Sequence, residues 1–458
     1  MTSKELIESR TYISDIIEMP EANLPIVIHE GAFSIETENC KIDLNGKITY
    51  EWFPSSGVRF HSKVTGKYTE LINTQLENSD FKVTVNGFEL GRGIIKRSTL
   101  VKTVDSSECT IYGTISGCAI IGDKTASIEK IRFTIPNLKD FLGLVVNPIP
   151  QRKYHYCCRL EFEDDDYQII IDKCLEYKSR KKKLDENGGF ITLYNGEINI
   201  KKGKIDYSTV QDLLYCFNTF ITFINGRRTS ALFIQGIAEN AVKWTDYSSY
   251  RIDTYKWVRT WTNSNSVEAF SDLWKHFRSI WKSSPDDKSF LLSSIHWYVE
   301  ANSNAGDWEG SIILAQTALE LIYNWWIVEN KKMMLGKDSD NISAANKIRL
   351  ILSQINLPGS IPSTLTELQK FKKSRNAIDA PDAIVEIRNA IVHSRESNRR
   401  KLSEIDADAI GEALQVYIWY IELSLLCILE YNDRYFNRCS GELYEAKGIQ
   451  KVPWKRDC

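Results

Sequence analysis

A chain of 458 residues exceeds what one ordinary hydrophobic core organises, so two or three domains are expected. With 60 acidic and 58 basic residues the net charge is −2, which excludes a global cationic coat for nucleic acid but permits a local basic site. A hydrophobic fraction of 43% and a charged fraction of 26% are those of an ordinary globular protein.

In chain order, Met1–Pro25 carries five acidic residues and no apolar stretch, so it does not read as a secretory signal. Roughly the first half then reads as β. Asn45-Gly46, Asn86-Gly87 and Asn195-Gly196 each sit between alternating apolar residues and predict three tight hairpins. Cys109–Tyr112 and Ile131–Ile135 supply further strands, and a mostly antiparallel sandwich or open barrel is expected. Gly117–Thr125 looks like a phosphate-binding loop at first sight, but Asp123 separates Gly122 from Lys124 and no helix follows, so it reads as a turn. The ten cysteines form no C-x-x-C pair and read as reduced, mostly buried thiols.

Helical periodicity begins at Ser208, which suits an N-cap, with Leu213, Leu214, Phe217 and Phe220 on one face and Asn225-Gly226 as the stop. A short strand, 231–236, and an amphipathic helix, 267–281, follow. Trp244, Trp257, Trp261, Trp274 and Trp281 in this connector read as packing residues. Ser284-Pro285-Asp286-Asp287 is the best boundary. Beyond it, helices are predicted over 290–302, 308–330, 342–355, 383–394 and 406–431, with Asp382 capping the fourth. The apolar run Val416–Leu429 is short and contains Glu422, so it reads as a core helix and no membrane span. The expected class is α+β: a β-rich N-terminal domain over 1–228, a mixed connector over 229–285, a helical domain over 286–441 and a tail over 442–458.

On a helical wheel the 383–394 segment turns Ala383, Ile384, Ile387, Ala390 and Ile391 toward a core, with Val385 and Val392 extending that arc. Glu386, Asn389 and His393 share the narrow polar side. Arg388 falls between Ile384 and Val392, where a guanidinium needs a partner. It can pair with a carboxylate such as Glu320, face a subunit interface, or supply a cation to a site between subunits.

The segment Arg388-Asn389-Ala-Ile-Val-His393, the upstream Ala315-Gln-Thr-Ala-Leu-Glu320 and the ending Tyr431-Asn-Asp-Arg-Tyr435-Phe-Asn437-Arg438 together resemble the HEPN superfamily, in particular its ApeA-like anti-phage branch. The resemblance covers 286–441. It implies a metal-independent endoribonuclease that dimerises through its helical domain and acts in abortive anti-phage defence, with Arg388, Asn389 and His393 catalytic and no cofactor.

Those residue types suit that chemistry. Attack of an RNA 2′-OH on the adjacent phosphorus needs a base, an acid and positive charge. His393 can serve as base or acid because the reference pKa of histidine lies near neutrality, Arg388 can fork onto phosphate oxygens, and Asn389 can orient substrate or His393. One chain supplies one such histidine, so a two-fold dimer would supply both proton-transfer roles. Glu320 and Glu386 are candidate supporting residues. Lys372, Lys373 and Arg395 are candidate RNA-binding residues in a 371–401 stretch with eight basic and four acidic residues. The expected partners are RNA, such as tRNA or another structured host RNA, a second copy of the chain, and a phage-derived trigger at the N-terminal domain, all in the cytoplasm. Two other readings stay open: a non-catalytic RNA-binding or dimerisation module, and a metal-dependent nuclease using Asp164–Asp166, Glu176 and Lys178.

Overall fold

The computed structural model describes residues 10–38, 40–65, 69, 80–102, 107–149, 155–264, 267, 269–304, 306–392, 400, 402–442, 444 and 447–455. The chain divides into two compact units. Met1–Lys139, Gly143–Tyr215 and Thr229–Lys256 make the first, and Asp140–Leu142, Cys216–Arg228 and Trp257–Cys458 the second. The class is α+β: antiparallel sheets build the first unit and helices dominate the second.

The β region holds two sheets. One is a closed barrel of β1 (Ile26–Glu36), β2 (Lys41–Glu51), β3 (Gly57–Thr65), β4 (Phe81–Val85), β5 (Phe88–Lys102) and β6 (Ser107–Ser116), in the order β1-β2-β3-β6-β5-β4. Pairing of Ser34–Glu36 with Lys82–Thr84 closes it, so no strand edge is left open. The other is an eight-stranded sheet of β7 (Ile120–Gly122), β8 (Lys130–Pro136), β9 (Leu144–Val146), β10 (Tyr156–Glu163), β11 (Tyr167–Lys173), β12 (Thr192–Ile200), β13 (Leu232–Ala238) and β14 (Ala241–Asp246). Alternation along the strands follows the pleat: Ile42, Leu44, Ile48 and Tyr50 of β2 are all buried.

Only one of the three predicted Asn-Gly hairpins is a turn. Asn86 and Gly87 have φ of 50° and 83°, the positive pair a type I′ turn requires, and they join β4 to β5. Asn45-Gly46 and Asn195-Gly196 lie inside continuous strands. Their glycines answer to crowding instead. A Cβ on Gly46 would lie 2.1 Å from the His61 carbonyl oxygen, and one on Gly196 2.4 Å from the Phe133 ring. Gly196→Ala is therefore expected to cost about 1–3 kcal/mol in chemical denaturation, as overpacking does; an unchanged midpoint would show that Phe133 can yield.

The first unit also holds α1 (Tyr177–Asn187). The division between units passes through α2 (Tyr207–Asn225). The cap of α2 is Asp206, which accepts from the Thr209 amide at 2.8 Å, two residues before the predicted Ser208. Leu213, Leu214, Phe217 and Phe220 are buried as expected, and Gly226 follows at φ 70°. Of the connector tryptophans, Trp244, Trp261, Trp274 and Trp281 are buried, whereas Trp257 is 71% exposed. The nine described cysteines are free thiols. Burial pushes the Cys158 thiol up to about 12.

The second unit contains α3 (Phe270–Ser283), α4 (Pro285–Asn302), α5 (Asp307–Ile322), α6 (Lys337–Asn341), α7 (Ala344–Gln354), α8 (Thr366–Arg375), α9 (Ala380–Val392) and α10 (Ala407–Ile428), with a small β15–β16 ribbon (Arg434–Phe436, Ile449–Lys451). The predicted boundary at Ser284 is a helix start. Ser284 Oγ accepts from the Asp287 amide at 3.1 Å and Pro285 takes the first helical position, so α4 begins five residues before the expected 290. A π-helical turn, Tyr323–Asn330, continues α5, and sequence periodicity missed α6 and α8.

Two helices, Asp307–Asn330 and Ala407–Ile428, are long and apolar enough to cross a membrane, but 61% and 78% of their apolar windows are buried within the fold, as in core helices. Glu422 in the second is fully buried. It receives Arg438 Nε at 2.9 Å and Nη2 at 2.5 Å, and the Tyr298 hydroxyl at 2.8 Å. Arg438 Nη2 also donates to Asn302 Oδ1 at 3.0 Å, so the internal charges are paired and hydrogen-bonded.

Candidate functional site

Helix α9 carries the motif, and a reciprocal cap fixes its start. Asp379 Oδ1 accepts from the Asp382 amide at 3.0 Å, and Asp382 Oδ2 accepts from the Ile378 amide at 3.0 Å. The cap is thus Asp379, with Asp382, the predicted cap, reaching back. Arg349 of α7 forks onto Asp379 with two bonds of 2.7 Å. Burial pushes the Asp379 carboxyl up, but the Arg349 fork and the Asp382 amide outweigh it and hold it below the usual carboxylate value.

Ala383, Ile384, Val385, Ile387 and Ala390 are buried as the wheel predicts. Val392 is not: it is 40% exposed, and Ile391 is half-buried. Arg388 therefore lies at an edge, between buried Ile384 and exposed Val392. The wheel separates Arg388 from the polar side, but the side chain is long enough to return. Its Nη1 donates to Asn389 Oδ1 at 3.0 Å. Its Nε is buried and has no acceptor among the described residues.

Glu320 does not pair with Arg388. It accepts from Lys347 Nζ at 2.7 Å and from Gln316 Nε2 at 3.0 Å. It joins a polar chain beneath α9 instead. The Tyr417 hydroxyl of α10 lies 3.0 Å from Gln316 Oε1 and 3.2 Å from the Ile384 carbonyl oxygen, so its one hydrogen serves one of them at a time. Tyr417 is completely buried. Burial holds its phenol well above the ordinary value, which the nearby Arg388 charge opposes and Glu320 reinforces. Arg388 and Glu320 thus act with opposite sign on one buried hydroxyl. Sequence reasoning missed Tyr417, Gln316 and Lys347. The one signal for them was the i,i+4 spacing of Gln316 and Glu320.

Glu386 is half-buried, as is Asn389. His393 and Arg395 lie outside the described residues. Lys372 and Lys373 belong to the last turn of α8, and the Lys372 charge acts on Asp379 at the start of α9. Arg388 is nine residues on from Asp379, or about 14 Å along a helix at 1.5 Å per residue. Arg375 is taken by Glu404 at 2.9 Å.

The rival carboxylates have local duties. Asp164 Oδ1 accepts from the Asp166 and Tyr167 amides at 2.8 and 2.9 Å, closing the turn between β10 and β11. Glu176 faces Arg180 at 3.4 Å. Among the described residues no three His, Cys, Asp or Glu side chains gather as a metal-ligand set. Gly117–Thr125 is a turn and a short strand, with Asp123 Oδ1 accepting from the Thr125 amide at 2.9 Å.

Fold and site define an α+β protein with a barrel and sheet unit and a helical unit displaying an arginine–asparagine pair over a buried polar chain. Residues 284–448 match the family model described as the YopA C-terminal domain, and residues 123–258 match the YopA central domain. The chain is 25% identical to the SPbeta prophage-derived uncharacterized protein YopA of Bacillus subtilis (strain 168), over 95% of this chain and 96% of that protein. No solved structure matches.

Proposed function

We propose that the chain is a metal-independent endoribonuclease of HEPN type, acting in the cytoplasm in defence against phage. Arg388 is the observation that carries this reading. An arginine kept at a helix edge with no carboxylate among the described residues, its Nη1 donating to Asn389, is a cation available to phosphate. Four residues separate it from His393, which supplies the proton-transfer group, and the RNA supplies its own nucleophile. Exposed Val392 beside Arg388 supports burial of this edge against a second copy, where two histidines would serve as acid and base. The prophage origin of the relative fits a role in contests between phages.

The purified full chain incubated with total bacterial RNA in EDTA is expected to yield discrete cuts. End-mapping should find 2′,3′-cyclic phosphates upstream and 5′-hydroxyls downstream. Cleavage abolished by EDTA, or 5′-phosphate ends, would replace this reading with the metal-dependent one.

A further inference from the structure

On three barrel strands a surface lysine faces an acid: Lys47 of β2 lies 3.5 Å from Glu30, Lys63 of β3 lies 3.0 Å from Glu108, and Lys82 of β4 lies 3.5 Å from Glu89. Strand β5 breaks the pattern. Arg92, Lys96 and Arg97 are all exposed, and none of their side chains has a hydrogen-bond or ion-pair partner among the described residues.

Register concentrates these charges. Regular alternation would turn either Lys96 or Arg97 into the barrel. A bulge between Ile95 and Arg97 puts both outside. Arg92 stands directly opposite Lys82, and Glu89 answers Lys82, so Arg92 faces a like charge without an acid of its own among the described residues. Next to Arg97 the outward row continues through Tyr112 of β6 to His61 of β3, so an aromatic ring sits between a cation and an imidazole. At the other end of the strand, Arg92 lines a cavity of about 750 Å³ together with Lys124 and Phe88, whose ring is 44% exposed. The acids at this cavity are already engaged: Glu89 by Lys82, and Asp123 by the Thr125 amide and hydroxyl.

We propose that the outer face of β5 binds single-stranded RNA, with Arg97 and Lys96 on neighbouring phosphates, Arg92 on a phosphate about two nucleotides away, and a base entering the cavity against Phe88. Unpaired cations tracking a backbone, interleaved with accessible rings, are the requirements of single-strand recognition. The preference for RNA over another polyanion rests on the cleavage reading, whereas the position of the face does not. Arg92 and Lys96 are four residues apart, about 13 Å along a strand, a span of some two nucleotides.

The test uses the full chain carrying His393→Ala, so that the probe stays intact, and a fluorescein-labelled oligouridylate 12-mer read by anisotropy. Adding R92E/K96E/R97E is expected to weaken binding at least tenfold and to lower the log–log salt slope by about 2, at about 0.7 for each phosphate no longer neutralised. The neutral triple R92Q/K96Q/R97Q should give an intermediate loss, and far-UV circular dichroism with a thermal melt should show the parental fold in both. Equal affinity in parent and folded triples overturns the proposal. So does displacement of the probe by polyglutamate at equal charge, which would assign the face to an acidic polypeptide. The two readings fail separately. A wild-type protein that cuts no RNA, beside charge-reversed protein that loses binding, removes the nuclease and keeps the face. Equal cutting by the triple on the wild-type background, with equal binding by it on the His393→Ala background, removes the face and keeps the nuclease.

Discussion

His393→Ala is expected to reduce RNA cleavage by about 10²–10⁴-fold, the usual contribution of a positioned acid–base group. Initial rates on end-labelled RNA measure it. Arg388→Ala should lose about 10²–10³-fold, as removal of a transition-state charge donor does. Arg388→Lys should recover part of the loss, because an ammonium keeps the charge but not the two-pronged fork that Asn389 holds. Arg388→Ala should melt with the parent, since Arg388 makes no ion pair among the described residues. In cells, growth arrest by the wild type should be relieved by His393→Ala. Full cleavage by that variant removes the mechanism. A wild type that neither arrests growth nor cuts RNA favours a binding or dimerisation module.

Breaking the internal pair Glu422–Arg438 should have the largest effect on stability. Glu422→Leu or Arg438→Met alone leaves an uncompensated charge in the core, an expected loss of about 3–5 kcal/mol in urea unfolding of the helical unit. Arg438 would also abandon Asn302, and Glu422 would abandon Tyr298. The double variant E422L/R438M should regain most of the loss, because well-packed apolar side chains can replace a buried pair. Single variants within about 1 kcal/mol of the parent would show that water reaches the pair.

Which features were legible in the sequence follows from the range of the forces behind them. The helical stripes of α3, α9 and α10 and the alternation of the barrel strands depend on neighbours three or four residues away, or two, and were readable. Caps were readable to within a few residues, because Asp206, Asp379 and Ser284 compete with equally suitable neighbours. The Asn-Gly signal was ambiguous in kind: glycine serves a positive φ at Gly87 and a crowded strand crossing at Gly46 and Gly196, and only the partner strand decides which. At the candidate site, the spacing of Arg388, Asn389 and His393 was visible at once. The Lys347–Glu320–Gln316–Tyr417 chain was not, since it joins three helices distant in sequence. A wheel treats each side chain as a radial spoke, so it also could not anticipate that Arg388 would fold across to Asn389.

Helix α9 is held unevenly along its length. Its start is locked by the double cap and the Arg349 fork, and its middle by Tyr417 beneath the Ile384 carbonyl, while Arg388 and Val392 lie past the last of these fastenings. Beyond them the helix is held by apolar contact, through buried Ile387 and Ala390. On the proposed reading, a phosphate drawn to Arg388 therefore meets a helix whose register is set before the cation is reached, so the charge is presented from a fixed base.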